Sequence, residues 1–184
     1  MDLLTKLRRL VNPVLDAAAS ALLSLGLTAD AATALALLLG FFSATSYYLA
    51  PARGEPMLFT ASILLLASGA LDAIDGAIAR MSRGPSPLGA FIDSVADRVT
   101  EVVVLGAIVA AGLCSISWGF LAIASSLLVS YARARSESLG LPMEGVGLGE
   151  RAERMVVLAV ATLFGAIELG VALVAILAII TFLQ

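Results

Sequence analysis

Residues 71–98 read LDAIDGAIARMSRGPSPLGAFIDSVADR, and this stretch decides the fold. It places four aspartates, Asp72, Asp75, Asp93 and Asp97, among mostly apolar residues. The first pair is spaced i,i+3 and the second i,i+4, so each pair lies on one face of a helix. Glycine and proline between the pairs end one helix and start the next. We therefore predict two antiparallel neighbouring helices whose carboxylates face each other.

The composition predicts an integral membrane protein. Of the 184 residues, 60% are hydrophobic and 14% are charged, whereas soluble domains are about 45–50% apolar and about 25% charged. The net charge of −3 argues against nucleic acid as a partner. The chain contains no histidine. Acid–base chemistry therefore falls to carboxylates, tyrosine, lysine or water.

A helix needs about 20 mostly apolar residues to cross a bilayer. We predict an all-α membrane protein of one domain, 1–184, with six transmembrane helices at about 31–50, 57–79, 87–112, 115–135, 152–167 and 169–184. Leucines at positions 3, 4, 7 and 10 recur at helical spacing among basic residues. They predict a short N-terminal amphipathic helix on the membrane surface, with an ordinary basic flank as the open alternative.

Basic residues predict the orientation, because cytoplasmic loops carry an excess of lysine and arginine. With the N-terminus inside, only Arg53 of the flanking basic residues falls outside. Those on the cytoplasmic side are Lys6, Arg8, Arg9, Arg80, Arg83, Arg133, Arg135, Arg151 and Arg154. We therefore expect both termini and the four aspartates on the cytoplasmic side.

Four facing carboxylates at the end of two membrane helices need compensation. Each costs about 2.5–3.5 kcal/mol at membrane depth, and the four repel one another. Protonation, arginine partners or bound cations would relieve this, but Arg80 and Arg98 supply only two positive charges against four negative ones. Divalent metal relieves it best, and carboxylate ligands suit Mg²⁺, Mn²⁺ or Ca²⁺. Four carboxylates suit two ions that clamp a phosphoryl group.

Small residues flank the aspartates. Gly76 and Ala79 share the face of the first pair, and Gly89 lies one turn before Asp93. They leave space for a flat or bulky ligand, although small residues also serve plain close packing of membrane helices. Arg80 then lies at the mouth, where a guanidinium can bind phosphate.

The stretch resembles the signature of the CDP-alcohol phosphotransferase family, D-x2-D-G-x2-A-R-x8-G-x3-D-x3-D. The matching residues are Asp72, Asp75, Gly76, Ala79, Arg80, Gly89, Asp93 and Asp97. The resemblance implies that a CDP-linked lipid gives its phosphatidyl-type group to an alcohol and that CMP leaves. Many members carry Pro-Asn before the first span, where this chain has Ala29 and Asp30.

The same resemblance implies roles for these residues. The four aspartates would hold two divalent ions, Mg²⁺ or Mn²⁺, and Asp97 would be the general base for the acceptor hydroxyl. The CDP-lipid would bind along Asp72, Gly76, Ala79, Arg80 and Gly89. A homodimer is also implied.

A second group of residues concerns the acceptor: Ser130, Arg133, Arg151 and Arg154. They are either cytoplasmic flanks with intrahelical ion pairs or a pocket for an acceptor that carries a phosphate. Their sequence is similar to the branch of the family that contains archaetidylinositol phosphate and phosphatidylinositol phosphate synthases. This implies transfer from CDP-archaeol or CDP-diacylglycerol to inositol 1-phosphate, with the four residues around the acceptor phosphate.

Several alternatives stay open. Glycerol 3-phosphate is the alternative acceptor, and a divalent-cation transporter or channel is the alternative of a different class. Clustering of the carboxylates at one helix end counts against an ion conduit. The glycines Gly145, Gly147 and Gly149 predict either an anion-binding nest or a flexible loop. Glu101 continues the stripe of Asp97 and either pairs with Arg98 or supports the metal site.

Overall fold

The computed structural model describes residues 3–82, 84, 86–141, 143, 147 and 149–184, with side chains from residue 12 onward. This part of the chain forms seven helices: α1 Leu3–Ser24, α2 Ala29–Arg53, α3 Glu55–Met81, α4 Pro87–Ala110, α5 Ile116–Ser138, α6 Arg151–Leu163 and α7 Ile167–Leu183. The predicted all-α architecture is confirmed, and α2 to α7 lie close to the six predicted segments. Arg83, Gly145 and the side chains of the four N-terminal leucines lie outside the described residues.

Short polar side chains set the helix starts near the aspartates. The Oγ1 of Thr28 accepts a hydrogen bond from the Ala31 N–H at 3.2 Å and caps α2. The Oγ of Ser86 accepts from the Gly89 N–H at 2.9 Å and caps α4, which begins with Pro87. These caps fix where α2 and α4 begin beside the C-terminal end of α3.

The surface of the bundle suits a lipid environment. Helices α2, α3 and α5 are long and apolar enough to cross a membrane by length and composition, and α7 is a shorter apolar helix. Large apolar side chains such as Phe59 and Phe120 are 62% and 70% exposed. Apolar exposure on this scale marks a surface that faces lipid or another protein. The chain is a membrane protein.

One apolar core collects buried side chains from all of α2 to α7. Val104, Leu105 and Leu158 are fully buried there. The hydroxyls of Tyr47 on α2 and Thr162 on α6 lie 3.0 Å apart in the same region. Cys114 is buried at the edge of this core, and burial raises the pKa of its thiol, as expected for a packed, unreactive cysteine.

The N-terminal helix α1 is longer than predicted, at 22 residues. Its second half packs on α2 and α3, where Ala19 is fully buried against Ala32, Ala77 and Ile78. This contact stabilises the helix beyond the amphipathic segment, since most helical stability in proteins comes from packing of one face. It also supports the end of α3 that carries the aspartates.

Candidate active site

The aspartates of α3 and α4 come together as predicted from their spacing. Asp72, Asp75 and Asp93 each present a carboxylate oxygen, and the three oxygens lie within 4.8 Å of one another. Asp75 is buried, whereas Asp72 and Asp93 are half-buried. We call these three residues the aspartate triad. Their geometry brings three acidic ligands from two helices to one point.

A third helix contributes to the triad through Thr33 on α2. Its hydroxyl donates to Oδ2 of Asp75 at 2.7 Å, and it also lies 3.1 Å from the Ala29 carbonyl oxygen. The sequence did not predict a role for Thr33. A threonine inside an apolar segment gives no signal of its partner, because such hydroxyls commonly bond their own helix.

Asp97 stands beside the triad with arginine partners. Nη1 of Arg151, the first residue of α6, contacts Oδ1 of Asp97 and lies 3.1 Å from Oδ2 of Asp72. Arg98 lies 3.7 Å from Asp97 and donates to the Ser94 carbonyl oxygen at 2.5 Å. A guanidinium from α6 therefore bridges aspartates of α3 and α4.

The charges and donor atoms fit a divalent cation at the triad. Among the described residues, Asp75 and Asp93 have no arginine or lysine partner. Carboxylates this close repel one another, and Arg151 pairs with Asp72 alone of the three described triad residues. Carboxylate oxygens are the ligands that hard divalent ions prefer. The side chains present are thus suited to bind such an ion.

A cavity of about 570 Å³ opens beside the triad. Asp75, Asp93 and the predicted CDP-lipid residues Gly76, Ala79, Arg80 and Gly89 line it, together with Thr28, Asp30 and Ser86. A Cβ added at Gly89 would lie 3.0 Å from both Asp30 Oδ1 and Ser86 Oγ. The cavity wall is therefore closely packed at Gly89, and a side chain there would push on two polar neighbours.

The predicted acceptor residues occupy different surroundings. Arg151 contacts the aspartates, as described above. Ser130 and Arg133 are half-buried on α5, and Arg133 lines a separate cavity of about 40 Å³ against the end of α7. Arg154 is buried, and its guanidinium binds Glu101 and the Gly149 carbonyl oxygen. Phosphate binding by these four residues stays a prediction.

Glu101 does not pair with Arg98, which was one of the two alternatives open for it. It pairs with Arg154 of α6, whereas Arg98 pairs with Asp97. The loop glycines are described in part: the N–H of Gly149 donates to Thr181 Oγ1 at 3.0 Å. That N–H is therefore engaged within the protein rather than presented to an anion.

The chain is similar to named lipid synthases over most of its length. It is 36% identical to an archaetidylinositol phosphate synthase of Pyrococcus horikoshii over 182 residues, which cover 99% of this chain and 94% of the relative. It is 38% identical to an archaetidylinositol phosphate synthase of Methanothermobacter thermautotrophicus, over 86% of this chain and 74% of the relative.

Solved structures share the fold. The phosphatidylinositol phosphate synthase of Mycobacterium tuberculosis with CDP-DAG bound superimposes with a TM-score of 0.77 at 25% identity, covering 94% of this chain and 91% of that one. The same enzyme in complex with manganese and citrate gives 0.76 at 26% identity, covering 92% and 86%.

A family model extends the resemblance noted at residues 72–97 to most of the chain. The model of CDP-alcohol phosphatidyltransferases matches residues 26–183. This range contains the aspartate triad, every residue that lines the large cavity except Leu23, and all the predicted acceptor residues. The chain therefore belongs to the CDP-alcohol phosphatidyltransferase family and is a membrane transferase of the CDP-alcohol phosphotransferase type.

Proposed function

We propose that this protein transfers the phosphatidyl or archaetidyl group of a CDP-lipid to inositol 1-phosphate and releases CMP. The observation that carries the proposal is the aspartate triad, two of whose members, Asp75 and Asp93, line a cavity of about 570 Å³. Asp97 and Arg151 lie beside the triad. The names of the relatives support the acceptor, and the CDP-DAG complex of the mycobacterial enzyme supports the donor. CDP-archaeol and CDP-diacylglycerol are both suitable donors.

The cavity suits the nucleotide end of the donor. Its small residues, Gly76, Ala79 and Gly89, leave room for a nucleoside, and Arg80 at the exposed rim suits a phosphate. The diphosphate would then lie against the triad. Asp72, Asp75 and Asp93 would hold Mg²⁺ or Mn²⁺, two ions per site with Asp97 taking part, and these ions neutralise the diphosphate when bound.

The reaction needs a base for the acceptor hydroxyl, and we assign Asp97 to this role because Arg151 links it to Asp72 of the triad. In the proposed step the hydroxyl oxygen forms a bond to the lipid-side phosphorus. The bond between that phosphorus and the bridging oxygen breaks, and the bridging oxygen leaves with CMP. The hydroxyl proton goes to the Asp97 carboxylate. Arg151, in contact with Asp97, suits the phosphate that the acceptor already carries.

Ser130 and Arg133 on α5 also belong to the proposed acceptor site. We further propose that the chain crosses the cell membrane six times, with both termini and the active site on the cytoplasmic side. The distribution of basic residues supports this orientation. A homodimer is the assembly that the family resemblance implies.

The test is CMP release by the purified protein with a CDP-lipid and Mg²⁺ or Mn²⁺. Inositol 1-phosphate, glycerol 3-phosphate, serine and free inositol are compared as acceptors, each with diacyl and archaeal donors. Release with inositol 1-phosphate alone is the expected result. Release with glycerol 3-phosphate alone would keep the aspartate chemistry and overturn the acceptor. No release with any pair would overturn the proposal and favour cation transport.

A further inference from the structure

A buried ion pair lies directly behind the active site. Glu101 and Arg154 side chains are 3% and 2% exposed. Arg154 binds both carboxylate oxygens, with Nε–Oε1 at 3.1 Å, Nη2–Oε1 at 2.9 Å and Nη2–Oε2 at 3.2 Å. The pair joins α4 to the start of α6. Its bidentate geometry constrains the position of the first turn of α6 relative to α4.

The pair is in register with the contact at the active site. Glu101 follows Asp97 by one turn of α4, and Arg154 follows Arg151 by one turn of α6. Two acidic–basic contacts therefore connect the same two helices, one turn apart. The Asp97–Arg151 contact is partly exposed to solvent, with side chains 19% and 18% exposed, whereas the Glu101–Arg154 pair is buried.

The segment that leads into α6 is fixed from two sides. Nη1 of Arg154 donates to the Gly149 carbonyl oxygen at 2.7 Å, and the Gly149 N–H donates to Thr181 Oγ1 of α7 at 3.0 Å. A Cβ at Gly149 would lie 3.0 Å from Leu177 Cβ, so α7 packs closely here. Arg154 therefore connects its own helix to α4 and to Gly149, which lies two residues before the helix.

We propose that Glu101 and Arg154 are positioning residues, which hold the first turn of α6 so that Arg151 reaches Asp97 and Asp72. This proposal rests on the proposed function, because it takes Arg151 as the arginine that meets the acceptor. Arg154 itself uses three nitrogens on Glu101 and Gly149 and acts through Arg151. A buried ion pair adds little net stability over apolar packing, so orientation of α6 accounts for it better than stability does.

The test compares variants of both partners. Three variants are compared with the original protein for kcat and for the KM of each substrate: Glu101→Gln, Arg154→Gln and the double variant Glu101→Gln/Arg154→Gln. Positioning predicts that each single variant raises the acceptor KM by about tenfold, while the CDP-lipid KM stays within about twofold, and that the double variant resembles either single one. Arg154→Lys, which keeps the charge but loses the bidentate fork, should behave like Arg154→Gln.

Direct contact of Arg154 with the acceptor predicts a different pattern. Glu101→Gln would then leave the acceptor KM unchanged or lower it, because it frees the guanidinium, and that result would overturn the proposal. The matched control is Tyr47→Phe, which removes the buried contact with Thr162 at the far end of α6. It should lower the melting temperature without changing the ratio of the two KM values.

A second measurement needs no substrate. Hydrogen–deuterium exchange of the amides at positions 150–154 should rise in Glu101→Gln and stay low in Tyr47→Phe. Unchanged protection in Glu101→Gln would overturn the positioning role whatever the acceptor is. If the original protein turns over only with another acceptor, the assignment of inositol 1-phosphate fails. The kinetic comparison of the variants, run with that other acceptor, then still decides the positioning role.

Discussion

The hydroxyl of Thr33 donates a 2.7 Å hydrogen bond to Oδ2 of Asp75, and both residues are buried. This contact connects α2 to the aspartate triad, whose carboxylates come from α3 and α4. A hydrogen bond to a charged group contributes about 1.5–3 kcal/mol. Engaging Oδ2 orients the carboxylate relative to Asp72 and Asp93, as outer hydrogen bonds do for metal ligands generally.

We expect Thr33→Val to weaken divalent-metal binding about 10–100-fold, because it keeps the shape of the side chain and removes the donor. Titration of the purified protein with Mn²⁺ measures this directly. Thr33→Ser retains the hydroxyl and is the matched control, with affinity close to the original. Equal Mn²⁺ affinity in Thr33→Val and the original protein would contradict an orienting role.

We expect Asp97→Asn and Asp75→Asn to differ in their effect on metal binding. Asp97 lies outside the aspartate triad, so Asp97→Asn should reduce CMP release by about 10²–10⁴-fold while leaving substantial Mn²⁺ binding. Asp75→Asn, or Asp72→Asn, should weaken metal binding and transfer together, since each removes a triad carboxylate. Near-normal turnover in Asp97→Asn would rule it out as the base.

The aspartate positions were predictable because local geometry determines them. Spacings of three and four residues place Asp72 with Asp75, and Asp93 with Asp97, on single helix faces. The short connection between the helices makes them antiparallel neighbours. The structure confirms that carboxylates from both helices meet. The length of the apolar segments located α2 to α7, because a helix needs about 20 mostly apolar residues to cross a bilayer.

The partners on distant helices were not predictable in this way. Helical periodicity tells which face Glu101 occupies, but its partner Arg154 lies 53 residues away. The arrangement of α6 in the bundle selects that partner. The full length of α1 was not predicted, for a related reason. Asp16 interrupts the apolar run, yet the helix continues because Ala19 packs against α2 and α3.

We expect Gly89→Ala to raise the CDP-lipid KM several-fold with little change in the acceptor KM. The added methyl would lie 3.0 Å from Asp30 Oδ1 and Ser86 Oγ, so these two residues, which line the cavity, must move. The control is Gly106→Ala on the same helix, where the added methyl meets nothing within 4 Å. Equal effects of the two substitutions on the CDP-lipid KM would contradict a role of Gly89 in the nucleotide cavity.

We expect Arg151→Ala to raise the acceptor KM by more than about tenfold, because hydrogen bonds to charged groups contribute about 1.5–3 kcal/mol. The CDP-lipid KM should change much less, since Arg151 does not line the large cavity. Steady-state kinetics with each substrate varied in turn separates the two effects. Arg135→Ala is the control, because that arginine is exposed on α5 and donates to Ser138 of its own helix at 3.5 Å. Arg151 would be a poor candidate for the acceptor phosphate if its loss raised both KM values equally, or if Arg135→Ala had the same effect.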